Sequence, residues 1–236
     1  MQNGKGVLTM SLTAIGVAFL REVLPFWDKL SAVQQREIEL TATGRTYRKG
    51  ESLHNGATDC SGMLIIKSGQ VRAFILSPQG KEITLYRLLD RDTCLLTASC
   101  ILKNISFEIN IEAERDTEAM FIPTRVYELL SHTSIAVADY ANQLMSSRLS
   151  DVMWVMEQVL FSSFDKRLAN FLLEQSVMDG GETLEITHEA IARHLGSARE
   201  VVTRMLKYFQ SEGMVALSRG GITLIDYEKL ERLTAE

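Results

Sequence analysis

The sequence predicts an α+β chain in three consecutive parts: a small antiparallel β-barrel or sandwich, a long apolar helix, and a winged helix-turn-helix. Three observations carry this reading. Short Val/Ile/Leu/Tyr/Phe runs punctuated by glycine turns fill Thr43 to Pro123. Apolar residues at spacings of three, four and seven then run from Val126 to Val159. Near the C-terminus, two capped helical segments flank a three-residue turn around Gly196. The expected divisions are residues 1–125, 126–161 and 162–236.

A chain of 236 residues has room for two modest domains. Its formal net charge of −5 does not advertise a nucleic-acid partner, although a local positive face is compatible with an acidic whole. The three cysteines, Cys60, Cys94 and Cys100, are odd in number and lack tight pairing motifs, which points away from a disulfide scaffold and toward the cytoplasm. The apolar patch near the N-terminus is too short and interrupted to cross a bilayer.

A helix is expected over Ile15 to Leu30, interrupted at Pro25. Ser31 then caps a second helix, with Gln34 three residues on as in a capping box, and Val33, Ile38 and Leu40 are placed toward a core. In the β region, Val71, Ala73 and Ile75 alternate with Arg72 and Phe74, Ile83, Leu85 and Arg87 share a face, and Ser77-Pro78-x-Gly80 reads as a hairpin turn. The long apolar helix has more hydrophobic surface than one small barrel covers. Leu144, Leu149, Val152 and Met156 are therefore expected to pack against the same helix of a second chain, giving a homodimer. A hinge is expected near residues 160 to 164, with Ser163 opening a helix that Gly180-Gly181 ends.

The strongest signal is THEAIARHLGSAREVVTRML. Thr187 caps a first helix, Gly196 closes it, and Ser197 with Glu200 forms a capping box for a second. Val201, Val202, Met205 and Leu206 give the second helix its buried stripe, leaving Arg199, Glu200, Thr203 and Arg204 for solvent or DNA. Arginine donates two parallel hydrogen bonds to guanine O6 and N7, and glutamate accepts from cytosine N4. Lys207 lies a turn beyond, within reach of phosphate. Two short strands around Ser218-Arg219-Gly220-Gly221 make a wing, with Arg219 at its tip. No Ser-His-Asp set, phosphate loop or metal-ligand array is present in the pattern, so no enzyme and no metal site are expected.

With YRKGESL, MLIIKSGQVRAF and LGSAREVVTRMLKYFQSEGMV, the chain resembles the family of the catabolite activator protein and the fumarate-nitrate reduction regulator (CRP/FNR) over nearly its whole length. The resemblance implies a cyclic-nucleotide-binding-like β-barrel (a jelly roll), a long dimerisation helix, and a C-terminal winged helix-turn-helix that binds inverted-repeat double-stranded DNA. Arg199, Glu200 and Arg204 match the family's base-reading positions, in the version that reads a TGTGA-type half-site. Thr187 matches a phosphate-contacting position, and Glu189 departs from the family's neutral residue there.

The resemblance also implies which effectors fit. The family's nucleotide pocket uses Gly-Glu for the ribose and Arg for the cyclic phosphate. Leu95-Leu96 and Phe107 stand at those places, so cyclic AMP is not expected. The oxygen-sensing branch holds an iron–sulfur cluster with a cysteine group that this N-terminus lacks. The effector is therefore unidentified. Cys94 and Cys100 bracket the family's ligand lid as candidate effector or redox residues. Open alternatives are a thiol- or haem-responsive regulator, or a constitutive regulator with a non-sensing barrel. An activator would also need RNA polymerase as a partner.

Overall fold

Two β-sheets, with no ladder between them among the described residues, carry the N-terminal half. The computed structural model describes residues 10–11, 14–55, 62–95 and 108–235. Their strands are β1 (Met10–Ser11), β2 (Thr43–Tyr47), β3 (Ser52–Asn55), β4 (Met63–Ser68), β5 (Val71–Leu76), β6 (Glu82–Leu88), β7 (Thr93–Cys94), β8 (Asn110–Ala113) and β9 (Thr117–Ile122). One sheet has the order β1-β2-β9-β4-β7 and the other β3-β8-β5-β6. The expectation of a closed β-barrel or jelly roll is corrected by this order: among the described residues no ladder links the sheets. The edges explain why. β1 and β7 are two residues long, and the β3–β8 ladder shifts register between Ser52 and His54. Such short or bulged edges offer few consecutive backbone groups to extend a ladder, and the longer edge strand β6 neighbours β5 alone among the described residues.

The described residues fall into two compact units, one drawn from Met1–Ile75 with Leu85–Asp151, the other from Leu76–Thr84 with Val152–Glu236. In the first, α1 (Ala14–Val23), a 3₁₀ turn at Trp27–Lys29, α2 (Ala32–Thr41) and α3 (Thr124–Thr133) share a core with the larger sheet. Leu20, Leu24, Ile38, Met63 and Ile65 are fully buried there, each such side chain contributing about 1.5–3 kcal/mol. The capping box at Ser31 forms, with its hydroxyl accepting from the Gln34 amide and the Gln34 side chain accepting from the Ser31 amide. Ile38 faces the core as expected, but Val33 and Leu40 are exposed. On β5, Arg72 and Phe74 are buried as well as Val71 and Ala73, so strict alternation fails there. The turn at Gly80 forms with φ +79°, and the Ser77 amide donates to the Lys81 carbonyl.

The apolar run from Val126 is two helices rather than one. Ser134 is extended, ending α3, and its carbonyl accepts from the amides of Val137 and Ala138 to start α4 (Ile135–Phe161). The boundary between the compact units falls within α4, between Asp151 and Val152.

The second unit holds α5 (Phe164–Asp179), β10 (Thr183–Leu184), α6 (His188–His194), α7 (Arg199–Ser211), β11 (Val215–Ser218), β12 (Gly221–Leu224) and α8 (Tyr227–Ala235). Gly180 ends α5 in the left-handed conformation, as its place in the sequence requires. Leu168, Leu172, Ile191, Val202, Leu206, Phe209 and Leu230 form one core, and the wing strands close a three-stranded sheet of order β10-β12-β11.

Candidate nucleic-acid interface

Local chemistry places α6 and α7. The Thr187 hydroxyl accepts from the Ala190 amide at 3.1 Å and starts α6. Gly196 turns the chain with φ +63°, a conformation that disfavours residues carrying a Cβ. The second expected cap differs. α7 begins one residue later than the sequence suggests, so Ala198 is its N-cap without a side-chain bond. Ser197 instead donates its backbone amide to the Ala192 carbonyl, tying the turn back to α6.

α7 buries Val202, Leu206 and Phe209 completely, while Val201 and Met205 are half-buried. The opposite side carries Arg199, Thr203 and Lys207 at four-residue spacing, with Glu200 and Arg204 on the adjacent row. These five side chains line one shallow concavity of about 430 Å³. Arg199, Glu200, Arg204 and Lys207 are exposed, and among the described residues none of the four makes an ion pair. Some cations elsewhere are neutralised internally, as in Arg87–Glu114 at 2.8 Å and Arg21–Glu39 at 2.7 Å. The α7 face thus keeps three cations available in a chain whose net charge is negative. Arg219 is exposed at the β11–β12 tip, next to Gly220 with φ +87°.

Thr203 is more constrained than the sequence suggests. Its hydroxyl donates to the Arg199 carbonyl at 2.8 Å and lies 2.9 Å from His188 Nδ1. In sequence His188 reads as no more than a solvent-facing or packing residue of the helix-turn-helix; its pairing is across helices, fifteen residues away, and no local spacing announces it. Burial first, then the Arg199 charge, holds the His188 imidazole below its usual range.

The other expected sites are placed separately. Leu144 packs against the core of the first unit, Val152 is half-buried, and Leu149 and Met156 are exposed. Cys94 is 1% exposed, with its Sγ 3.7 Å from the buried Tyr86 hydroxyl. Leu95 is buried in the first unit's core. Cys60, Leu96, Cys100 and Phe107 lie outside the described residues. Among the described residues, no group of three or more His, Cys, Asp or Glu side chains is placed to hold a metal, and no helix is long and apolar enough to cross a membrane.

A winged helix-turn-helix whose second helix carries a basic face free of ion pairs among the described residues defines a DNA-binding protein. The chain belongs to the CRP/FNR family of transcriptional regulators; it is a transcription factor and not an enzyme. The Crp-like helix-turn-helix domain matches residues 166–233, and the cyclic nucleotide-binding domain matches residues 44–133. A solved transcriptional regulator of the Crp/Fnr family from Eubacterium rectale is 51% identical, with a TM-score of 0.89 over 91% of this chain and 100% of that one. The cyclic AMP receptor protein of Thermus thermophilus is 25% identical, over 80% of this chain and 87% of its own. The transcriptional activator protein FnrA of Stutzerimonas stutzeri is 24% identical, over 80% and 79% respectively.

Proposed function

We propose that this regulator acts in the cytoplasm as a homodimer that reads inverted-repeat DNA, under the control of an effector other than cyclic AMP. The observation that carries the reading is the α7 face, where Arg199, Arg204 and Lys207 converge without an ion-pair partner among the described residues. Arg199, Glu200 and Arg204 read base edges in the major groove, and Thr203 lies between them. Thr187, Ser197, Lys207 and Arg219 hold the DNA backbone.

Lys207 tests this division of labour. Lys207→Ala is expected to weaken binding to all duplexes about equally and to reduce the salt slope by about one per protomer, because one fewer phosphate is neutralised. Fluorescence anisotropy across a salt series checks it. A change in base preference with an unaltered salt slope would move Lys207 into the base-reading set.

The dimer is supported by a seam on α4. Leu149, Met153, Met156 and Leu160 recur at spacings of four, three and four, and are 63%, 48%, 46% and 62% exposed. That is the knob spacing of a two-helix packing surface. It shifts the seam from the Leu144 and Val152 positions, which are half-buried, to Met153 and Leu160.

Leu95 supports the exclusion of cyclic AMP. Its side chain fills the core beside the larger sheet's Met63 and Ile65 and offers no hydrogen bond to a ribose. Calorimetry is expected to show no micromolar cyclic AMP binding; a micromolar dissociation constant would refute this part of the reading.

A further inference from the structure

The turn between β5 and β6, within Leu76–Thr84, belongs to the same compact unit as the helix-turn-helix. Thr84 Oγ1 lies 2.9 Å from His194 Nδ1, 110 residues away in sequence. Its neighbour Ile83 forms an isolated antiparallel bridge with Leu195. The Ile83 side chain also packs on the turn glycine: a Cβ built on Gly196 would lie 3.4 Å from Ile83 Cδ1. Three consecutive residues, His194, Leu195 and Gly196, are thus each held by one of two residues of β6. From α5, the Arg167 guanidinium donates to the Leu195 carbonyl at 3.2 Å, and the Phe171 ring lies 5.1 Å from the His194 ring. We propose that Ile83 and Thr84 are positioning residues for DNA reading, which set the angle of α7 by fixing the turn that precedes it. The proposal rests on the DNA-reading role of the α7 face.

The location of this contact gives it leverage. Only Ser197 and Ala198 separate Gly196 from Arg199, the first residue of α7. Ala198 caps α7 without a side-chain bond, so no local cap fixes the helix start. A small rotation at Gly196 is therefore passed on to Arg199, Glu200 and Arg204. Base-edge hydrogen bonds tolerate such a rotation poorly, because a binding constellation must be held within about 0.5 Å and 10–20°. A phosphate contact from Lys207 tolerates it well, because a point charge on a flexible stem follows the backbone. Ile83 and Thr84 do not line the α7 concavity, so they act through the turn and not by touching DNA. Both come from the stretch that matches the cyclic nucleotide-binding domain, residues 44–133. The DNA-reading unit is in this sense discontinuous in sequence.

The test uses the full-length protein and two duplexes: the one that wild type enriches from a random pool, and a scrambled sequence of equal length. Ile83→Ser combined with Thr84→Val truncates the packing and removes the hydroxyl without adding charge. This double variant is expected to lose about tenfold in the ratio of specific to non-specific affinity, through the enriched duplex alone. Its salt slope should match wild type, because no phosphate contact is removed. The conservative Ile83→Val should keep the wild-type ratio. In the free protein, exchange of the Ser197 amide, which donates to the Ala192 carbonyl and closes the turn, reports the turn directly. Thr84→Val alone is expected to speed it about three- to tenfold, the worth of one hydrogen bond. An unchanged ratio, an equal loss on both duplexes, or unaltered Ser197 exchange in Thr84→Val would overturn the positioning role. A double variant that does not fold leaves Thr84→Val to decide it by the same two readouts. A wild type that enriches no sequence would overturn the DNA-reading face and this proposal with it.

Discussion

Leu149→Glu is expected to turn the protein into a monomer at micromolar concentration and to abolish high-affinity binding to inverted-repeat DNA. Leu149 is 63% exposed on α4 and heads the apolar row that continues through Met153, Met156 and Leu160. In the proposed dimer, two-fold packing of that row would bring each seam residue against the partner helix, so one substitution would bury two carboxylates per dimer. A buried unpaired charge is costly, and a weakening of at least about 100-fold, about 2.8 kcal/mol, is expected in the dimerisation constant. Met156→Glu should act similarly. Gln143→Glu, on an exposed polar position of the same helix, should leave the dimer intact. Sedimentation velocity checks all three. A wild-type monomer at micromolar protein, or an undisturbed Leu149→Glu dimer, would remove the seam from the account.

Arg199→Ala has the second largest expected effect. Its guanidinium lies at the start of α7, without an ion-pair partner among the described residues, and lines the same concavity as Arg204. A bidentate arginine–guanine pair is worth about 1–3 kcal/mol of discrimination. A two-fold complex loses it twice, so affinity for a specific duplex should fall by about 2–6 kcal/mol in all. Non-specific affinity should fall far less, because the phosphate contacts proposed for Lys207 and Arg219 would survive. Glu200→Ala should relax preference at a neighbouring base pair instead, since a carboxylate selects cytosine N4.

How much of this was legible in the sequence depends on whether the determining contacts are local. The Ser31 capping box, the Thr187 cap and the left-handed glycines Gly180 and Gly196 are set within a few residues, and all four read correctly. So did the wing strands around Gly220. The Ser197 cap misread the helix start by one residue, because serine favours a cap position whether or not the backbone places it there. The closed barrel failed for a different reason. Alternating apolar strands look the same in a closed and an open arrangement, and which edges pair is decided by register shifts such as that between Ser52 and His54. In the candidate site, the exposed row on α7 followed from helical periodicity alone. The His188–Thr203 pair did not, because it depends on how α6 crosses α7.

The central claim is that α7 reads a two-fold-related DNA sequence. Selection from a pool of random duplexes, carried out in parallel with wild-type protein and Arg199→Ala, tests it most directly. The wild type should enrich two inverted half-sites about one helical turn apart, roughly 34 Å, with guanine at one fixed place in each. Arg199→Ala should enrich the same spacing with that one base pair relaxed in both halves. An Arg199→Ala selection that retains the wild-type preference at every position would make Arg199 a phosphate or scaffold residue, and a wild-type selection without inverted symmetry would contradict the dimeric reading.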